Sequence, residues 1–115
     1  MSIALKRAYE TPAETDGVRV LVDRIWPRGV KKSEARIDHW AKELAPSTEL
    51  RKWFGHDPDK WSEFQRKYRE ELRGNPGLDG IRALSRQGGL TLVYGAKDEV
   101  HNQAQVLKQV LEGEA

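Results

Sequence analysis

Residues 18–29 read Val18-Arg19-Val20-Leu21-Val22-Asp23-Arg24-Ile25-Trp26-Pro27-Arg28-Gly29. Apart from Arg19, the first five are β-branched or aliphatic, which predicts a strand over 18–22 buried on at least one face. Pro27 cannot donate to a β-ladder, so the strand must stop before it, and Gly29 permits a tight turn. The stop leaves Asp23, Arg24, Trp26 and Arg28 together where the strand exits. In open α/β sheets ligands bind at the carboxyl ends of the strands, so this stretch points to a site as well as to a fold.

The partner of that strand lies far downstream. Leu90-Thr91-Leu92-Val93-Tyr94 is apolar almost throughout and predicts a second strand over 90–94, with Gly95-Ala96-Lys97 as its exit. Between the two, Ile37, Trp40, Ala41 and Leu44 have helical spacing. Ser47 suits the N-cap of a helix over 48–54 that Gly55 ends, and Asp57-Pro58 opens a helix over 58–73 that stops at Gly74. Trp61, Phe64, Tyr68 and Leu72 form a core stripe on that helix, and Glu63 and Lys67 form an exposed pair four residues apart. A short helix carries Leu78, Ile81, Ala83 and Leu84. Asp98 caps a last helix whose buried face holds Val100, Ala104, Leu107 and Leu111, and Glu112 to Ala115 reads as a frayed end. Upstream, Ile3 to Ala8 reads as a first strand at an edge. It joins the second through a hairpin or by lying beside it, and the sequence allows both.

Two strong strands separated by helices imply a parallel crossover. The expected architecture is a small single-domain α/β layer fold with a short, mainly parallel central sheet flanked by helices. The strands at 18–22 and 90–94 lie side by side in it. Both then end on one edge, where Asp23-Arg24 faces Lys97-Asp98.

The chain of 115 residues has the size of one domain and can bury about two-thirds of its unfolded surface. It contains no cysteine, which excludes disulfides, thiolate metal sites and a thiol nucleophile of its own, and which fits a reducing cytosol. Met1 to Arg7 lacks the apolar core of a signal peptide, and no apolar run approaches the roughly 20 residues of a membrane span. The formal net charge is +2, but from Arg19 to Arg36 six Lys or Arg face only Asp23 and Glu34, a local net of +4. Such a patch attracts phosphates or other anions; a solvated basic loop has the same composition.

Two His–Asp pairs can carry acid–base chemistry. Asp98 and His101, three residues apart, share one face of a helical turn, and His56-Asp57 stands at a helix start. Asp57 also reads as a simple cap. Trp26 and Trp53 read either as core or as a stacking wall for a base or sugar. Asp23, Asp98, His56 and His101 would make a divalent metal site only if they converged, and their spacing matches no standard metal motif. Ser47 and Ser85 lack the glycines of a nucleophile elbow, and Gly88, Gly89 and Gly95 form neither a dinucleotide fingerprint nor a phosphate loop.

Taken together, Arg19 to Gly29, Ala45-Pro46-Ser47 with Glu49-Leu50-Arg51, Trp53-Phe54-Gly55-His56-Asp57-Pro58, and Leu92 to Asp98 with His101-Asn102 resemble the YeaO-like proteins. These are small bacterial and archaeal members of the family named domain of unknown function 488. The resemblance covers nearly the whole chain. It implies one compact α/β domain over residues 1–115, with no assigned activity. In the wider family a Cys- and Glu-containing segment follows the last strand, then Cys-His-Arg at the helix start. His101 stands where that His falls, the cysteines are absent, and Asn102 replaces the Arg, so thiol chemistry does not carry over. The resemblance marks Asp23, Arg24, Trp26, Arg28, His56, Asp98 and His101 as signature positions without giving them roles.

The leading expectation is a small cytoplasmic protein that binds a phosphate-bearing ligand, a nucleotide or nucleic acid, at the carboxyl edge of the sheet. Arg24, Arg28 and Lys97 would hold the anion beside Asn102, and Trp26 would pack against a base or sugar. His56 or His101 would serve as acid or base with Asp23 or Asp98. A hydrolase using the same His and Asp groups, with or without a metal, is the alternative; a non-enzymatic module that meets a protein partner is the third. The sequence also allows Asp23–Arg24 to be only a structural ion pair.

Overall fold

The computed structural model describes residues 3–113; Met1-Ser2 of the opening stretch and Glu114-Ala115 of the closing one lie outside it. Four parallel strands form one sheet: β1 (Ile3–Arg7), β2 (Val18–Leu21), β3 (His39–Trp40) and β4 (Leu90–Tyr94), in the order β1-β4-β2-β3. The two apolar runs are the central pair, with Val20 opposite Leu92 and Leu21 opposite Val93. Residues buried on both faces suit an interior parallel strand, and Val20, Leu21, Leu92 and Val93 are all buried. β1 pairs with β4 rather than β2, so no hairpin forms, and β1 is an edge as expected.

The two faces are covered unequally. Val20, Val22, Leu90, Leu92 and Tyr94 pack into the main core with Phe54 of α2 (Thr48–Phe54), Phe64, Tyr68 and Leu72 of α3 (Trp61–Leu72) and Ile81 of α4 (Gly77–Arg86). Ala104, Leu107 and Leu111 of α5 (Gln103–Gly113) complete it. Side chains alternate along a strand, so Leu21 and Val93 face the other way. There they meet Trp26, Pro27, Val30, Ala35 and Ile37 of a thin cover that includes the one-turn helix α1 (Lys32–Ala35). At the start of the central pair the backbones nearly touch. Val18 N–H donates to Gly89 O at 3.0 Å, and a Cβ on Gly17 (φ 66°) would lie 2.1 Å from that oxygen.

Three sequence expectations are corrected. Residues 37–44 form β3 and a 3₁₀ turn (Lys42–Leu44) instead of a helix. Their backbone bonds the sheet edge: Asp38 N–H donates to Arg19 O at 2.9 Å and Ala41 N–H to Leu21 O at 2.8 Å. Ala41 and Leu44 are still buried, so the apolar spacing was satisfied by a strand and a tight turn. The last helix begins at Gln103, not Asp98, with Asn102 Oδ1 accepting from Gln105 N–H at 3.1 Å. Asp98 caps the separate turn before it, Val100 is 63% exposed rather than core, and α5 continues through Gly113 rather than fraying at Glu112. Finally, Glu63 pairs with Arg66 at 2.7 Å, while Lys67 lies over the Trp53 ring.

Other signals hold. Ser47 Oγ accepts from Leu50 N–H at 3.1 Å to cap α2, and Gly55 ends it in the left-handed region. Asp57 Oδ1 accepts from Asp59 N–H at 3.0 Å, and a 3₁₀ turn over Pro58–Lys60 leads into α3. Tyr68 donates its hydroxyl to the Leu44 carbonyl, tying α3 to the turn after β3.

Candidate functional site

Parallel β2 and β4 deliver their exits to the same edge. A cleft of about 230 Å³ opens there, lined by residues that include Asp23, Arg24, Arg51, His56, His101, Asn102 and Gln103. Asp23 lies two residues past the end of β2. Its Oδ2 accepts from Gly95 N–H at 2.9 Å and its Oδ1 from the Gln103 side-chain amide. Gly95 suits this close approach, because a Cβ would stand 2.8 Å from Asp23 Oδ2 and the carboxyl would have to shift. Burial pushes the Asp23 carboxyl up to about 6, against the pull of the Gly95 amide, the Gln103 amide and the charge of Arg51. Asp23 and Arg24 do not form the ion pair that the sequence allowed. Arg24 Nε donates to Pro46 O at 3.0 Å and Nη2 to Ala45 O at 3.2 Å, holding the chain after β3 against the cleft.

His101 approaches from the turn after β4. Asp98 fixes it: Oδ1 accepts from His101 N–H at 2.9 Å, and Oδ2 lies 2.8 Å from His101 Nδ1. The Trp61 ring packs edge-on against the imidazole, with centroids 5.3 Å apart. Ring orientation is thus set on two sides, and Nε2 is the nitrogen left for the cleft. The backbone and side-chain bonds from His101, with that from Val100, hold the Asp98 carboxyl down to about 2. His56 comes from the α2–α3 junction with φ 58°, in the left-handed region that is uncommon outside glycine. Its ring stands 6.3 Å from that of Phe54. Asn102 is 1% exposed; its Nδ2 donates to Asp98 O at 2.9 Å, so it braces the turn that carries His101.

The structure therefore brings Asp23, Arg24, His56, His101 and Asn102 to one cleft, with Asp98 behind His101. It does not bring Trp26, Arg28 or Lys97 there. Trp26 donates Nε1–H to Val30 O at 2.7 Å and packs edge-on against Trp40 at 5.4 Å in the thin cover. Trp53 also lies off the cleft, beneath Lys60 and Lys67. Arg28 and Lys97 are exposed, and the Arg28 carbonyl accepts from the Tyr9 hydroxyl at 2.9 Å. Arg19 leaves the basic patch altogether. It is 3% exposed, with Nη1 on Asp16 Oδ2 at 2.6 Å and Nε on Ala35 O at 3.1 Å. Among the described residues no three His, Asp or Glu side chains gather as metal ligands would, and Asp23, Asp98, His56 and His101 do not converge on one point.

Sequence reasoning missed Arg51, Gln103, Tyr9 and Ile25. Arg51 is an exposed residue of a short helix, and only the fold turns it toward β2. Gln103 follows Asn102 directly, so its signal was proximity to a marked position.

Two comparisons bear on identity. The uncharacterized protein YeaO of Escherichia coli is 42% identical over 109 residues, covering 93% of this chain and 94% of its own. An uncharacterized protein of Mycobacterium tuberculosis is 40% identical over 111 residues, covering 96% and 94%. No solved structure matches the chain. A family model described as the inactive DUF488-N3 subclade matches residues 2–115, and with these relatives it shows that the chain belongs to the DUF488 family, among the YeaO-like proteins.

Proposed function

We propose that the cleft binds a small phosphate-bearing ligand without transforming it. The observation that carries this reading is the gathering of Arg24, Arg51, His56 and His101 around one concave space at the strand exits. Arginine and histidine donors in a partly dry pocket suit phosphate oxygens, and charge-assisted hydrogen bonds are about twice as strong as neutral ones. Asp23 on the cleft wall opposes an anion less than an ordinary aspartate, because burial keeps it protonated to a higher pH. The description of the family as an inactive subclade accords with binding rather than turnover. A cleft of this size suits a small molecule better than a nucleic-acid strand, which would need a longer groove.

The test is calorimetric titration with inorganic phosphate, AMP and a short oligonucleotide at two salt concentrations. Arg51→Ala combined with His56→Ala, two exposed side chains, should weaken phosphate binding by about tenfold or more. Arg28→Ala, off the cleft, should leave it alone. Binding that survives the double substitution sinks the reading, and a steep fall of affinity with salt would instead point to nucleic acid.

One observation favours a second reading, an acid–base hydrolase. Asp23 and the Asp98-oriented His101 both line the cleft. Release of phosphate from a chromogenic phosphomonoester, lost in His101→Ala, would establish it.

A further inference from the structure

The rim of the cleft carries apolar side chains that a bare phosphate has no use for. Among the described residues the exposed large hydrophobics are Tyr9 at 51%, Ile25 at 59% and Val100 at 63%. Single exposed apolar residues are ordinary. Here each stands in a different loop leaving the carboxyl end of adjacent strands: Tyr9 after β1, Ile25 after β2 and Val100 after β4. Tyr9 and Ile25 line the cleft directly, and Val100 precedes His101, which lines it too. Tyr9 is also held in place, with its hydroxyl on the Arg28 carbonyl and the Arg7 guanidinium 5.0 Å over its ring. A fixed aromatic face loses little freedom when a ligand covers it.

Size narrows the choice further. The cleft of about 230 Å³ is smaller than the roughly 300–1,000 Å³ of pockets that enclose drug-sized ligands. It suits a phosphate with one compact group better than a phosphate, a ribose and a base. Resting on the phosphate reading above, we infer that the ligand is a phosphomonoester of a compact apolar alcohol, aryl or branched alkyl. Its phosphate lies among Arg51, His56 and His101, and its apolar group lies against Ile25 and Tyr9.

The experiment compares phenyl phosphate, isobutyl phosphate, inorganic phosphate and AMP by calorimetry on the full chain, with Ile25→Ser beside the wild type. Phenyl phosphate should bind about tenfold tighter than inorganic phosphate, the gain expected from partly burying one ring. That ratio should fall toward one in Ile25→Ser. Because Ile25 is solvent-exposed, the variant is expected to fold, and circular dichroism checks that it does. If phosphate binds but the apolar esters gain nothing, this inference fails and the phosphate reading stands. If neither phosphate nor the esters bind, both fail. AMP binding as tightly as phenyl phosphate also overturns the inference. So does a ligand-free dimer that Ile25→Ser dissociates, since a second copy would then be what covers the rim.

Discussion

Asp16 and Asp23 sit at opposite ends of β2, one just before the strand and one just after it, and the protein treats them in opposite ways. Asp16 is buried against two cations. Lys6 Nζ lies 3.0 Å from Oδ1 and Arg19 Nη1 2.6 Å from Oδ2, while Ala13 N–H donates to Oδ2 at 3.0 Å. Burial alone would raise its carboxyl, but the Ala13 amide and the two cations outweigh that and hold it below the usual aspartate range. Asp23 receives only neutral amides from Gly95 and Gln103, with Arg51 acting at longer range, and its carboxyl rises. The first acid is neutralised within the fold. The second is left with a need that a proton can meet, and only the second opens on a cleft. A charged residue in this sheet is therefore structural where its partners are cations of the same chain, and available where they are not.

The comparison can be broken most forcefully at Asp16. Asp16→Ala leaves Arg19 buried with the Ala35 carbonyl and an already unpartnered Nη2, and should cost about 3–5 kcal/mol. A urea titration reads this as a lower midpoint; a loss under 1 kcal/mol would show that the pair is not structural. At Asp23 the sign reverses. A carboxyl raised from 3.8 to about 6 favours the fold below the lower value, and that stability is lost as pH rises through the higher one. Asp23→Asn should thus stabilise the protein at pH 7.5 by up to about 3 kcal/mol, and the gain should vanish below pH 4. Carboxyl NMR should find Asp16 titrating below 3.8 and Asp23 near 6. A smaller effect sharpens the contrast. Gly95→Ala forces its Cβ on Asp23 Oδ2 and should cost about 1–2 kcal/mol as the carboxyl is displaced. In an Asp23→Ala background, which has no Oδ2 to meet, the same substitution should cost little; an undiminished cost would show that the clash is not with the carboxyl.

The central strands were legible because Val18–Val22 and Leu90–Tyr94 are apolar runs too short for helices, and the shared edge followed from their being parallel. Hence the loops carrying Asp23, Arg24, His101 and Asn102 could be placed at one edge from the sequence, whereas the two strands do not fix where His56 lies. Residues 37–44 were not legible. Spacing of 37, 40, 41 and 44 satisfies a helix or a strand with a tight turn, and the free edge of β2 decided between them. Arg19 and Trp26 were misplaced for a related reason. Whether an arginine faces water depends on a distant acceptor, here Asp16 and the Ala35 carbonyl. Trp26 belongs to the thin cover on the sheet face away from the main core, and no local pattern marks that face.

The edge-on contact between Trp61 and His101 has a practical consequence. It places an indole fluorophore against the imidazole of the cleft, and a protonated imidazole quenches indole emission on contact. The protein thus carries its own optical reporter for the state of His101, and Trp61→Phe would remove that signal while the other three tryptophans continue to emit.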